Sequence, residues 1–209
     1  MTLSLILLGV TTILVSFNVG ESIYTKLKLK KKLLIALLFI TIAFYFVPNI
    51  KINGITFTWI GFFLPAIFSI ISIIKVKKAK MYFKMFVSML IAFSLGLIYN
   101  LITFDVYESA IFQPYIFLGL ILGSIPLILA EKPTKLYASN FIGLIFAEVV
   151  FYLSRYSIYG EYYLTVGSIK TFEILFISFL TSLLVYFFIR KVKAMAIRRK
   201  LKKKESKAI

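Results

Sequence analysis

The sequence predicts an all-α, polytopic integral membrane protein of seven helices, and three observations predict it. Of the 209 residues, 61% are hydrophobic, whereas a soluble domain is about 45–50% apolar. The apolar residues fall in runs of nearly the length that crosses a bilayer, about 20 residues. The 25 Lys and Arg, against 8 Asp and Glu, sit in short clusters between those runs. A net charge of +17 in a soluble protein points to nucleic acid. Distributed between apolar runs it is a topology signal, and no nucleic-acid partner is expected.

The first span covers residues 2–19. It lacks a basic leading region and a small-residue cleavage site, so it reads as a retained span and not a signal peptide. A loop with Lys26, Lys28, Lys30, Lys31 and Lys32 leads to span two, 33–47, which is short, so its flanking lysines snorkel. Pro48 ends it, and the turn 48–54 reverses the chain. Span three, 55–74, has Trp59 near its start and Pro65 in its middle. A second basic loop (Lys75, Lys77, Lys78, Lys80, Lys84) precedes span four, 85–104. An acidic loop with Asp105 and Glu108 leads to span five, 111–130, which contains Pro126. Mid-span prolines occur in the broken helices of transporters and also in passive bundles. The tight turn 131–135 opens span six, 136–153. A tyrosine-rich loop, 154–173, carries Tyr156, Tyr159, Tyr162 and Tyr163 and precedes span seven, 174–189. Residues 1–189 thus form one transmembrane domain and 190–209 a basic tail.

Seven spans place successive loops on alternating sides. Twenty-two basic residues then collect on one side and three (Lys51, Arg155, Lys170) on the other. The excess marks the cytoplasm, so the amino terminus is outside and the carboxyl terminus cytoplasmic. Six spans, with residues 33–74 as a re-entrant hairpin, is the alternative. The richness in Ile, Lys and Phe fits a bacterial AT-rich genome, and the expected location is a bacterial cell membrane.

Small residues recur every fourth position. Span four carries Ser88, Ala92, Gly96 and Asn100, and span six Ser139, Gly143 and Ala147. Span five has Gly119 and Gly123, and span one Thr12, Ser16 and Gly20. Residues i and i+4 share a helical face, and small ones let a second helix approach closely. The faces serve either packing within the chain or a homodimer.

Glu148 in span six reads as the only charged residue placed within hydrocarbon, where a carboxylate costs a few kcal/mol or more unless paired, protonated or hydrated. Either it faces an aqueous cavity and handles a cation or proton, or it is a buried hydrogen-bonded acid or reaches the outer interface. Asn100 and Asn140 are its candidate polar neighbours. In the tail, Arg190, Lys191, Lys193, Arg198 and Arg199 are candidate contacts for anionic lipid at the cytoplasmic face, each attracted by about 1 kcal/mol near the surface. A membrane-protein partner is the other expected association.

Several chemistries are excluded. Without Cys or His there is no thiolate nucleophile, no disulfide and no histidine base or zinc ligand. Intramembrane aspartyl proteolysis needs two aspartates, and Asp105 is the only one. A retinal Schiff base needs a lysine within span seven, and 174–189 has none. There is no GxxxxGK[ST] loop. No enzyme, metal or cofactor is expected.

The stretches KLKLKKK (Lys26 to Lys32), VPNIKINGI (Val47 to Ile55) and VGSIKTFE (Val166 to Glu173) resemble the YphA-like multi-span membrane proteins of spore-forming bacteria. Glu173 stands where that family carries Asp. The resemblance implies a membrane-embedded helical fold and no particular activity or site residue. Two functions remain open: a non-enzymatic protein acting by association with lipid or another membrane protein, and a small transporter or channel using Glu148 and Asn100. The prolines at 65 and 126 do not occupy equivalent places in a 3+1+3 repeat of the kind found in SWEET-type transporters.

Overall fold

The computed structural model describes residues 3–17, 31–52, 55–105, 114–125, 127–130, 132–159 and 164–205. Lys26, Lys28, Lys30, Gly20, Glu108, Pro126, Tyr162 and Tyr163 lie outside these residues, as do the side chains of Lys193, Arg198 and Arg199.

The chain is mostly helical. Helices α1 (Leu3–Ser16) and α2 (Lys31–Ala43) pack side by side, and the Lys31 ammonium donates to the Ser16 carbonyl at 2.9 Å. The chain then leaves the all-α expectation. Strands β1 (Ile50–Ile52) and β2 (Ile55–Phe57) form an antiparallel hairpin, with Ile50 opposite Phe57. Residues 55–57 are therefore strand and not the start of a helical span. Their Ile-Thr-Phe sequence suits an extended backbone, and a parallel partner completes the ladder: β3 (Leu164–Val166), with Ile55 opposite Leu164 and Phe57 opposite Val166.

Helix α3 (Leu64–Ile74) follows β2 through a π-helical turn at Trp59–Phe63. Pro65 sits where the π-helical turn passes into α3, within the continuous helical run 59–74. A proline lacks the N–H that would continue the helical ladder, and it falls at the point where the hydrogen-bonding pattern changes from π to α. Trp59 stacks on Phe44 with centroids 5.6 Å apart, and its indole N–H donates to the Pro48 carbonyl at 2.9 Å.

Next come α4 (Ala79–Asp105), α5 (Pro114–Ser124), the short α6 (Leu127–Ala130), α7 (Pro133–Tyr159) and α8 (Ile169–Glu205). The expected tyrosine-rich loop is shorter than its sequence reading, since α7 continues to Tyr159 and α8 starts at Ile169. The basic tail continues α8 without a break to Glu205. Among the described residues, three helices are long and apolar enough to cross a membrane: Ala79–Thr103, Pro133–Arg155 and Ile169–Val192. Residues 34–43, 59–74 and 114–124 form shorter apolar helices.

Two helix pairs dominate the packing, α4 with α7 and α5 with α8. Their small residues explain both. A Cβ on Gly96 would lie 2.9 Å from the Ala147 Cβ, and one on Gly143 would lie 2.8 Å from the Ala92 Cβ. The Ser88–Ala92–Gly96 face of α4 thus lies against the Ser139–Gly143–Ala147 face of α7. In the same way a Cβ on Gly119 of α5 would lie 2.8 Å from the Ile177 Cβ of α8. The main core gathers where the two pairs meet: Ala92, Leu118, Leu122, Phe141, Leu144, Ile174 and Leu175.

Candidate functional site

The site is built around the start of α8. Ser168 caps that helix, its hydroxyl accepting the Thr171 N–H at 3.2 Å. The preceding residue, Gly167, has φ +71°, a left-handed conformation that a side chain disfavours. It lets the chain turn from β3 into the helix and brings its backbone against Gly61 of the π-turn, where a Cβ on either glycine would overlap the other's backbone. Thr58 bolts the two segments together. Its hydroxyl donates to the Gly167 carbonyl and accepts the Gly61 N–H at 3.0 Å.

Glu148 reaches this junction from α7. The Gly167 N–H donates to Oε2 at 2.7 Å. Oε1 receives the Ser168 N–H at 3.3 Å, the Ser168 hydroxyl at 3.1 Å and the Thr171 hydroxyl. The carboxylate is 6% exposed. It completes the cap of α8 from another helix, satisfying amides that α8 itself leaves unpaired, at the end where the helix dipole favours an anion.

Glu148 also lines a partly open cleft of about 300 Å³ between α4, α7 and α8. Asn100, Tyr99 and Thr103 of α4 line it, with Tyr152 of α7 and Lys170 of α8. Leu144, Phe151 and Ile174 supply apolar wall. Asn100 is half-buried, and its carboxamide has no hydrogen-bond partner among the described residues.

Of the three candidate polar residues, Glu148 and Asn100 share this cleft, and Asn140 does not. Asn140 is fully buried and donates to the Leu122 carbonyl at 3.1 Å and the Ser178 hydroxyl at 2.7 Å, tying α7 to α5 and α8. The 80° rotation between positions 140 and 148 on one helix sends the two side chains to different neighbours. Arg155 lies over the Phe151 ring, 5.5 Å from its centroid. Glu148 is not the only charged residue in an apolar segment: Glu173, 5% exposed, falls within the Ile169–Val192 run. In the tail, Arg190 packs over the Tyr186 ring at 5.6 Å, and Lys191 is exposed.

Sequence reasoning missed Thr58, Gly167, Ser168, Lys170 and Thr171. A Gly-Ser step before an apolar run is a helix-start signal, so the cap was visible locally. Its pairing with a carboxylate twenty residues earlier was not. Among the described residues no three His, Cys, Asp or Glu gather to hold a metal. No family model matches the chain, and no curated protein or solved structure matches it either.

Proposed function

We propose that this chain is a multi-pass membrane protein, amino terminus outside, that takes up a small polar solute in the cleft between α4, α7 and α8 and performs no covalent chemistry on it. The carrying observation is that Glu148 and Asn100, forty-eight residues apart, line one partly open cleft of about 300 Å³. That volume is at the small end of ligand sites. Glu148 serves here as the group that shapes the wall at the start of α8. A bare cation would find its Oε1 already engaged by three donors.

The multi-pass reading is supported by the sheet. β2 and β3 pair, so residues 55–57 and 164–166 lie at one end of the bundle. An even number of crossings between them satisfies this, and α3, α4, the α5–α6 segment and α7 supply four. The basic loops and tail then fall at the opposite end, the side of anionic lipid. The small-residue faces of α4 and α7 are used within the chain, which leaves them out of any homodimer.

The test is thermal unfolding of the detergent-purified full chain with 10 mM-scale glycerol, glycine, propionate, ethylammonium or sodium, since a ligand that binds the folded state raises its stability. At least one solute raises the midpoint for the wild type. Asn100→Leu, at a half-buried position with no hydrogen bond to lose among the described residues, removes that rise. A flat response of the wild type to all five solutes sinks the reading.

A further inference from the structure

Resting on the cleft as a solute site, we propose that its ligand is a small neutral polyol, whose hydroxyls meet Glu148, Asn100 and Tyr152 and whose carbon chain lies along the apolar wall.

The hydrogen-bonding capacity left over in the cleft carries this. Several of the polar side chains that line it are already engaged within the protein. Thr103 donates to the Tyr99 carbonyl, and the hydroxyls of Ser168 and Thr171 donate to Glu148. Tyr99 and Lys170 have interactions of their own, so neither enters the count. Asn100 and Tyr152 are half-buried, and their side chains make no hydrogen bond among the described residues. A carboxylate offers about four lone-pair sites across its two oxygens. Three donors crowd Oε1 of Glu148, while Oε2 receives only the Gly167 N–H, so Oε2 retains an acceptor site.

The remaining capacity is of both kinds. Oε2 of Glu148 and Oδ1 of Asn100 accept, Nδ2 of Asn100 donates, and the Tyr152 hydroxyl does either. An ammonium only donates and leaves the Asn100 N–H groups unanswered. A carboxylate only accepts, and it meets the like charge of Glu148. A zwitterion brings donors and acceptors, but its carboxylate needs a cation and Lys170 is already engaged. A polar group shielded from water without a partner costs free energy, and a charge costs more. A hydroxyl both donates and accepts, so neighbouring hydroxyls on one carbon chain match the mixed set.

Neutrality belongs to the same fit. Four donors meet the Glu148 carboxylate at the start of α8, where the helix dipole also favours an anion, so its charge calls for no counter-ion from the ligand. The carbon chain of a polyol suits the wall of Leu144, Phe151 and Ile174. The volume of about 300 Å³ matches about ten waters at about 30 Å³ each, so a short polyol enters whole.

Calorimetric titration of the full chain in detergent decides it. The probes are 1-propanol, 1,2-propanediol and glycerol, which add hydroxyls to one carbon chain, with glycine, propionate, ethylammonium and sodium as charged solutes. Affinity is expected to rise along the hydroxyl series, glycerol binding at least tenfold more tightly than 1-propanol and than each charged solute. Tyr152→Phe keeps the ring and its edge contact with Phe151. It is expected to lower glycerol affinity about tenfold and to leave 1-propanol unchanged. If a charged solute binds as tightly as glycerol, or if glycerol binds equally well to Tyr152→Phe, the polyol assignment is overturned while the solute site stands. Binding of 1-propanol as tight as that of glycerol also overturns the assignment, since hydroxyl count would then not matter. If none of the seven probes binds, both readings fall.

Discussion

Two amides and two hydroxyls converge on the carboxylate of Glu148, and none of the four belongs to its own helix. Removing that acceptor strands buried donors, each costing about 1–3 kcal/mol. Glu148→Ala is therefore expected to destabilise the protein by about 3 kcal/mol or more, and Glu148→Gln, which keeps one carbonyl oxygen, by about half as much. Thermal unfolding followed by circular dichroism should rank wild type above Gln and Gln above Ala. Equal melting of all three would mean that α8 needs no cap from α7. Asn140 makes a second test at this scale. Its amide N–H groups both donate, and its carbonyl oxygen has no partner among the described residues. Asn140→Asp places a second oxygen against the Leu122 carbonyl, so it should melt below Asn140→Ala, which only forfeits hydrogen bonds worth roughly 1 kcal/mol each. The reverse order would show that this amide does not bridge the helices.

At the scale of elements, the molecule is joined by close backbone contacts. Gly143→Ala must push against the Met89 carbonyl at 2.5 Å and the Ala92 Cβ at 2.8 Å. A cost of about 1–3 kcal/mol is expected for such overpacking. Gly9 of α1 has nothing among the described residues within 4 Å of the place a methyl group would take, and Gly9→Ala should be neutral or slightly stabilising, since Ala is the better helix former. Gly167→Ala should exceed Gly143→Ala in cost, because the new methyl meets both a left-handed φ and the backbone of Gly61. Comparing the three melting midpoints checks this ordering, and a Gly167→Ala protein as stable as wild type would mean that the junction does not hold the fold together. The i+4 spacing of the small residues made these faces legible. Which face meets which was not legible, because the spacing is the same on α4 and α7 and carries no address.

For the whole molecule, the absence of cysteine gives a clean labelling experiment. Single cysteines at Lys51 and Lys170 should react with a membrane-impermeant maleimide added outside intact cells. A cysteine at Lys78 should react only after the membrane is opened. Labelling of Lys51→Cys and Lys170→Cys from opposite sides would contradict both the sheet and the proposed orientation.

By itself the sequence determined the apolar runs, their basic borders and the lack of cysteine and histidine, and from these it predicts a membrane setting. These follow from composition and from order along the chain, which is all that partition into lipid depends on. Hydrophobicity could not tell strand from helix at residues 55–57, because Ile, Thr and Phe are apolar or neutral in either form. It could not show the π-helical turn ahead of Pro65, since a π and an α turn differ only in which carbonyl each amide reaches. Tertiary structure alone decided what Glu148 meets. The carboxylate's partners come from the turn after β3 and the first turn of α8, the turn being held in place by Thr58 more than a hundred residues earlier. A hydrogen bond is set by distance in space, and no local pattern in α7 records which helix end will arrive there.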